Sequence, residues 1–147
     1  MKSFLSSGGE SKVLKMLENV PLFSTLDRKK LRMMAETFTE RTFESGEVIE
    51  KEGDKGITFY LITEGSVEVK KGKKTIAKLG RGQYFGELSL VDKQPRSATI
   101  VASEPCTCLL MTSWDFAAFL QTDSKLAMGV MKELARRLRE TDQALSE

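Results

Sequence analysis

The segment YFGELSLVDKQPRSAT, Tyr84–Thr99, carries the most specific pattern of this chain. Gly86 lets the backbone come close to a ligand, and the ELSL that follows suits a single turn of helix. The amino end of such a turn presents free N–H groups and a positive dipole, which favour an anion. Beyond a short loop, Arg96 supplies a guanidinium, which binds phosphate through two parallel hydrogen bonds. The segment therefore predicts an anion site.

Glu87 is the residue of this segment that an anion site does not explain. A carboxylate repels phosphate unless Arg96 balances it or it meets a different group of the ligand. Accepting from a sugar hydroxyl meets that condition, and a ligand with both phosphate and hydroxyl groups is a nucleotide. The alternative is a buried Glu87–Arg96 ion pair that braces two loops. Such pairs are weak reasons for stability, because the cost of desolvation offsets the attraction.

Composition limits the function classes. The 147 residues suggest one domain, and the net charge of +2, from 23 basic and 21 acidic residues, is too even to indicate nucleic acid or a membrane surface. The sequence contains no histidine, which excludes Ser-His and Cys-His catalysis and most zinc chemistry. Since no nucleophile–base pair is evident either, we expect no catalytic residue, no metal site and no enzyme.

The two cysteines and the apolar runs bear on the compartment. Cys106 and Cys108 stand two residues apart, so on a strand they share one face, and we expect small buried thiols in a reducing compartment. No apolar run approaches ~18 residues, and the opening MKSFLSSGGESK has no apolar core typical of a signal peptide. We expect a cytoplasmic protein with no membrane segment.

Hydrophobic periodicity divides the chain into three zones. Residues 1–38 have helical spacing, with Ser11 as the cap of a helix that Pro21 ends and Ser24 or Asp27 as the cap of a second. Residues 39–112 show short alternating segments between glycine turns, which favours a β-sandwich or jelly roll. The candidate strands are TERTF, EVIEKEG, ITFYLITEG, SVEVKKGKK, TIAKLGRGQYF, SATIVA and CTCLLMT.

Residues 113–147 are helical again. A short helix follows Ser113, and Asp123 or Ser124 caps a long one. The long helix has apolar residues spaced as an a/d seam with an interruption at Thr141, and this seam could pair with a second copy or pack back on the β-zone. The seam consists of Ala127, Met131, Leu134, Leu138 and Leu145.

Two short motifs resemble the phosphate-binding cassette of cyclic nucleotide-binding domains. They are FGELSL at Phe85–Leu90 and, after a short loop, PRSAT at Pro95–Thr99. These domains occur in the catabolite activator protein family, protein kinase A regulatory subunits and cyclic-nucleotide-gated channels. The segments VPLFSTL, GEVIEKEGD, FYLITEGSVEV and SWDFAAFL also resemble the family, so the resemblance covers nearly the whole of residues 1–147. It implies a single, mainly β domain: an eight-stranded jelly-roll β-roll with N-terminal helices and C-terminal B and C helices.

The resemblance also implies roles for residues of the cassette, residues 84–99. Arg96 would clamp the exocyclic phosphate oxygens, Glu87 would accept from the ribose 2′-hydroxyl, and Ser97 would touch the phosphate. Backbone N–H groups near Gly86, Ser89 and Ala98 would complete the cradle. Ser97 favours cAMP over cGMP, because family members selective for cGMP often carry threonine there. The expected ligand-binding set is Phe85, Gly86, Glu87, Leu88, Ser89, Arg96, Ser97 and Ala98, and the lid candidates on the last helix are Met131, Leu134, Ala135, Arg137 and Leu138.

The function implied by the resemblance is a cyclic-nucleotide sensor that repositions its C-terminal helix when the ligand binds. An effector protein, or a second copy in a homodimer through that helix, would read the change. No helix-turn-helix follows the last helix, so we expect no DNA-binding domain, and no cofactor besides the nucleotide. Two alternatives stay open: a regulatory piece of a larger protein, and an interaction module that has the cassette but binds no nucleotide.

Overall fold

The computed structural model describes the backbone of residues 7–86 and 95–146 and the side chains of residues 12–86 and 95–143. The described part contains five helical segments and eight strands. The helical segments are α1 (Ser7–Glu18), a 3-10 turn (Pro21–Phe23), α2 (Arg28–Thr37), α3 (Ser113–Thr122) and α4 (Ser124–Ser146). The strands are β1 (Thr39–Phe43), β2 (Val48–Glu50), β3 (Thr58–Glu64), β4 (Val67–Lys71), β5 (Lys74–Leu79), β6 (Tyr84–Phe85), β7 (Thr99–Ala102) and β8 (Cys106–Thr112).

The strands form two four-stranded sheets, in the orders β1-β8-β3-β6 and β2-β7-β4-β5. Every pairing is antiparallel, and in the first sheet Phe43 lies opposite Cys106 and Phe59 opposite Met111. The inner faces of both sheets contribute to one apolar cluster that includes Ile62, Val67 and Ile100. This is the mainly β jelly-roll fold with flanking helices that the sequence predicts, and the prediction is confirmed.

Strand β3 lies at the centre of the molecule and is buried on both faces. Phe59 and Leu61 belong to the cluster beneath the helices, whereas Tyr60 and Ile62 belong to the cluster between the sheets. The ring of Phe59 stacks on Phe116 of α3, with centroids 3.9 Å apart. Coverage of both faces explains why FYLI is a continuous apolar run rather than an alternating one.

The N-terminal helices form largely as predicted, with one correction. The side chain of Asp27 accepts from the N–H of Lys30 at 2.9 Å and caps α2, whereas the hydroxyl of Ser24 bonds to the carbonyl of Pro21. Helix α1 begins at Ser7, so the prediction of Ser11 as its cap is wrong. Serine is tolerated inside a helix at small cost, which lets the helix extend a turn further upstream.

Among the described residues, Lys30 connects the N-terminal helices to the C-terminal ones through two hydrogen bonds. The side chain of Asp123 accepts from the N–H of Leu126 at 3.0 Å, so Asp123 caps α4. Lys30 of α2 donates to the Asp123 carboxylate at 3.1 Å and to the carbonyl of Thr122 at 2.8 Å. Helix α3 begins at Ser113 itself, with the side chain of Thr112 as its cap.

Helix α4 carries two apolar faces rather than the single seam that the sequence predicts. Its inner face buries Leu126 and Val130, and Leu134 packs against the same cluster. Its outer face leaves Met131 and Leu138 54% and 62% exposed. The described members of the predicted seam belong to both faces, because apolar residues spread over more than half of the helix circumference fit several phases of one repeat. The side chain of Leu145, the last predicted member, lies outside the described residues.

Cys106 and Cys108 lie side by side on β8, as the spacing predicts. Both thiols are free and almost fully buried, with the two sulfur atoms 3.8 Å apart. They pack as small apolar groups in the cluster between the sheets.

Candidate functional site

Arg96 is the centre of the candidate site, and the turn between β2 and β3 fixes its backbone. The N–H of Arg96 donates to the carbonyl of Asp54 at 2.8 Å, and the carbonyl of Arg96 accepts from Gly53 at 2.9 Å. The side chain is only 8% exposed. Two reciprocal backbone hydrogen bonds therefore determine the point from which a buried guanidinium extends.

Among the described residues, the guanidinium of Arg96 has two hydrogen-bond partners. Its Nε donates to Oε1 of Glu50 at 3.0 Å, and its Nη2 donates to the carbonyl of Thr58 at 2.6 Å. The Glu50 side chain is itself 15% exposed, so both charges lie largely out of water. Removing the charge of Glu50 or of Arg96 alone would leave the other charge buried and uncompensated, which is strongly destabilising.

Two glycines give the guanidinium its space. A Cβ added at Gly56 would lie 2.0 Å from Nε of Arg96. A Cβ at Gly86 would lie 3.0 Å from Nη1 and 2.4 Å from the carbonyl oxygen of Thr58, and Gly86 also has a φ of +98°. The cassette backbone at Gly86 therefore runs directly against the terminal nitrogens of Arg96, and only glycine fits at either position.

Tyr60 connects Glu50 to the start of the cassette. Its hydroxyl donates to Oε2 of Glu50, the oxygen that Arg96 does not use. The rings of Tyr60 and Phe85 are stacked, with centroids 4.5 Å apart and planes 12° from parallel. Burial, reinforced by the Glu50 carboxylate, raises the pKa of the Tyr60 phenol above its usual range, so it remains a hydrogen-bond donor.

Arg137 connects helix α4 to β6, the strand at the start of the cassette. Its Nη2 donates to the carbonyl of Tyr84 at 2.6 Å, and its guanidinium lies 5.0 Å from the centre of the Tyr84 ring. Glu133, one turn earlier, accepts from Nε of Arg137 at 3.0 Å. Hydrogen bonds from Arg136 and then from Arg137 lower the pKa of Glu133, which keeps it ionised.

The structure describes part of the predicted ligand-binding set. Phe85 is buried in the cluster between the sheets, Gly86 contacts Arg96, and Ala98 is half-buried just ahead of β7, whereas Ser97 is exposed. The remaining predicted residues lie outside the described residues: Glu87, Leu88 and Ser89.

The five lid candidates occupy different environments on α4. Arg137 reaches β6, and Leu134 packs against the cluster beneath the helices. Met131, Ala135 and Leu138 face outward and are exposed. The structure thus brings Arg137 to the cassette and leaves the other three exposed.

Sequence reasoning missed the residues that hold Arg96. Glu50 lies 46 positions from Arg96, and the segment VIEKEGD around it alternates in the manner of a half-exposed strand. Thr58 acts through its backbone carbonyl, which no side-chain pattern can reveal. Tyr60 sits inside the apolar run of β3, where its hydroxyl gives no separate signal.

Among residues 12–86 and 95–143, no three side chains of aspartate, glutamate or cysteine gather in a way that could hold a metal ion. No helix in the described part of the chain is long and apolar enough to cross a membrane.

The fold and site together define an antiparallel two-sheet domain with a buried arginine beside a glycine turn. The family model described as cyclic nucleotide-binding domain matches residues 40–123, more than half of the chain. The chain belongs to the cyclic nucleotide-binding domain family, which confirms the resemblance seen in the sequence. The relatives that share this domain include proteins named as kinase regulatory subunits.

Individual relatives agree with this assignment. The cAMP-dependent protein kinase regulatory subunit of Schizosaccharomyces pombe is 36% identical over 71% of this chain and 25% of its own length. The cGMP-dependent protein kinase of Eimeria tenella is 35% identical over 71% of this chain and 10% of its own length. The crystal structure of the Thermus thermophilus catabolite activator protein superposes with a TM-score of 0.74 at 34% identity, covering 86% of this chain and 62% of that one. The chain thus spans a quarter or less of both kinase-type relatives.

Proposed function

We propose that this domain binds a cyclic nucleotide, with cAMP preferred over cGMP, and that Arg96 is its phosphate ligand. The observation that carries the proposal is the buried guanidinium whose terminal nitrogens lie against Gly86 of the cassette. A guanidinium fixed in a poorly hydrated position binds phosphate strongly, because the positive charge is not screened by water.

The other contacts of the ligand follow from the cassette sequence. Glu87 would accept from the ribose 2′-hydroxyl, and backbone N–H groups near Gly86, Ser89 and Ala98 would surround the phosphate. The hydroxyl of Ser97 would add a donor, and serine rather than threonine there supports the preference for cAMP. The relatives include both a cAMP-dependent and a cGMP-dependent protein, so they support a cyclic nucleotide as the ligand class. The proposed preference for cAMP rests on Ser97.

The response that we propose is a change in the position of α4. Arg137 joins this helix to the carbonyl of Tyr84, two residues before Gly86. A ligand that draws the cassette inward would alter this contact between Arg137 and Tyr84. It would shift the equilibrium between two positions of α4 only to the extent that it binds one of the two conformations more tightly than the other. We propose that the output is this motion, read by another protein or another domain, and that the chain catalyses no reaction.

The test of the ligand is isothermal titration calorimetry with cAMP and cGMP, on protein from which bound nucleotide has been removed. The proposal expects micromolar or tighter binding, with cAMP the tighter of the two. A folded protein that gives no heat with either would favour an interaction module that binds no nucleotide. Tighter binding of cGMP would retain the ligand class and overturn the reading of Ser97.

The outer face of α4 favours a second element of the proposal, a homodimer through this helix. Met128, Met131 and Leu138 are 50%, 54% and 62% exposed. Their positions follow the 3-4 spacing of a coiled-coil seam, with Ala135 completing it. Sedimentation velocity of the wild type and of Met131→Glu/Leu138→Glu tests this. A dimer that the substitutions convert to a folded monomer supports the seam, and a monomeric wild type at tens of micromolar overturns it.

A further inference from the structure

The Glu50–Arg96 pair raises a question about the proposed phosphate ligand. A carboxylate that neutralises Arg96 weakens its attraction for a phosphate, and burial makes that effect larger. Yet Glu50 is itself largely buried and bonded through both oxygens, to Arg96 and to Tyr60. Glu50 reduces the net positive charge of the proposed phosphate site and is nevertheless held by two hydrogen bonds. These bonds indicate a role of Glu50 that does not depend on its charge.

We propose that Glu50 is a positioning residue that fixes which edge of the Arg96 guanidinium meets the phosphate. The inference rests on the proposed function, since it specifies how the same site takes its ligand. Arginine can approach a phosphate sideways, through Nε and one terminal nitrogen, or end-on, through both terminal nitrogens. Because Nε is bonded to Glu50 at 3.0 Å, only the end-on approach remains.

The donors of Arg96 and the surrounding backbone support the end-on approach. A guanidinium has five N–H bonds, of which one on Nε goes to Glu50 and one on Nη2 goes to Thr58. The other three belong to Nη1 and Nη2, and none of them is bonded to a residue that the structure describes. These two nitrogens lie 3.0 and 3.4 Å from the position that a Cβ on Gly86 would take, so the uncommitted end faces the cassette.

Tyr60 extends this arrangement to the cassette itself. Its hydroxyl fixes the second oxygen of Glu50, so the carboxylate cannot rotate to accept from Arg96 in another way. The Tyr60 ring is stacked on Phe85, the residue before Gly86. The contacts from Phe85 to Tyr60 and from Tyr60 to Glu50 therefore fix the orientation of the Arg96 guanidinium relative to β6.

The experiment uses the two phosphorothioate diastereomers of cAMP, in which sulfur replaces one or the other exocyclic oxygen. Sulfur accepts hydrogen bonds poorly, and Nη2 shares its donors with Thr58 whereas Nη1 does not. A guanidinium held in one orientation therefore responds differently to sulfur at the two oxygens, whereas one free to rotate compensates. The Kd of each diastereomer is measured by calorimetry for the wild type, Glu50→Ala and Glu50→Gln. The matched control is Glu52→Ala, an exposed glutamate two residues further on that bonds to Gly72 instead.

The two substitutions at Glu50 separate positioning from charge. Loss of the acceptor in Glu50→Ala is expected to bring the ratio of the two Kd values about fivefold closer to one. Glutamine keeps an acceptor for Nε and removes the negative charge, so Glu50→Gln is expected to keep the ratio within about twofold of the wild type while binding cAMP as tightly or more tightly. Glu52→Ala should change neither quantity.

The outcomes distinguish this inference from the proposed function. A wild type that binds neither diastereomer nor cAMP nor cGMP overturns both. A wild type that binds cAMP while Glu50→Ala leaves the ratio unchanged overturns the positioning role alone, as does a wild type that binds both diastereomers equally.

A second measurement on the protein without nucleotide is independent of affinity. The Nε–H resonance of Arg96, assigned by its loss in Arg96→Lys, should exchange slowly with water in the wild type and in Glu50→Gln. In Glu50→Ala it should exchange about tenfold faster or more, because the bonded acceptor is gone. Equal exchange rates in the three proteins would overturn the inference even if Glu50→Ala proved too unstable for titration.

Discussion

Arg137 of α4 and Tyr84 of β6 are joined through both the backbone and the ring of the tyrosine. Nη2 of Arg137 donates to the Tyr84 carbonyl at 2.6 Å, and the guanidinium lies 5.0 Å from the ring centre. Because Tyr84 is the first residue of the cassette and the proposed output is a movement of α4, this contact links the proposed ligand site directly to the proposed output.

Replacing Arg137 with alanine is expected to loosen α4. Loss of the hydrogen bond and the ring contact should raise amide exchange in the second half of α4 about tenfold. Hydrogen–deuterium exchange with mass spectrometry measures this, with Arg139→Ala, an exposed arginine on the same helix, as the control. Equal exchange in the two variants would contradict a link through Arg137.

Glu133 makes the stability of this link depend on pH. Hydrogen bonds from Arg136 and Arg137 lower the pKa of Glu133 in the folded state. A lowered pKa means that the stabilisation is complete above the unfolded value, about 4.3, and is lost as the pH falls through the folded value. At pH 7 the wild type should exceed Glu133→Gln by about 0.5–1 kcal/mol in the free energy of unfolding.

Urea unfolding of both proteins between pH 7 and pH 3 checks this prediction. The difference between them should shrink once the pH is below the usual range of a glutamate. A difference that stays constant over this range would show that the Glu133 carboxylate contributes through packing and not through its charge.

Gly86 is required for space as well as for backbone conformation, and a matched glycine separates the two effects. Gly46 and Gly86 have φ angles of +87° and +98°, but an added Cβ at Gly46 meets nothing within 4 Å. Gly46→Ala should therefore cost only backbone strain, about 1–2 kcal/mol of unfolding free energy. Gly86→Ala should cost about 1–3 kcal/mol more, because its Cβ overlaps the Thr58 carbonyl and Arg96. Equal losses in urea unfolding would contradict the close approach.

The general fold could be predicted because its signals are local. Strand β8 and strand β1 coincide with CTCLLMT and TERTF, since alternation between turn residues depends only on neighbours in the chain. Asp27 and Asp123 were predictable as helix caps for the same reason. The cassette could be recognised because Phe85–Thr99 keeps its defining residues in one short segment.

What the sequence did not reveal depends on contacts between distant residues. Glu50 and Arg96 meet because β2 and the segment before β7 are brought together by the sheet, and neither residue signals the other. The division of α4 into inner and outer faces depends on which side packs against the strands. Periodicity gives the spacing of Met131, Leu134 and Leu138 but not the direction in which each one points.

The measurement that tests the central claim most directly is the affinity of Arg96→Ala for cAMP, by calorimetry against the wild type. Arg32→Ala, an exposed arginine of α2, is the control, and Arg96→Ala/Glu50→Gln is measured as well because it leaves no buried carboxylate without its partner. If Arg96 is the buried phosphate ligand, both Arg96 variants lose about 2–5 kcal/mol of binding free energy while Arg32→Ala binds normally. Folded Arg96 variants that lose less than about 1 kcal/mol of binding free energy would contradict the account. Removing a buried arginine that hydrogen-bonds to a charged phosphate costs more than that.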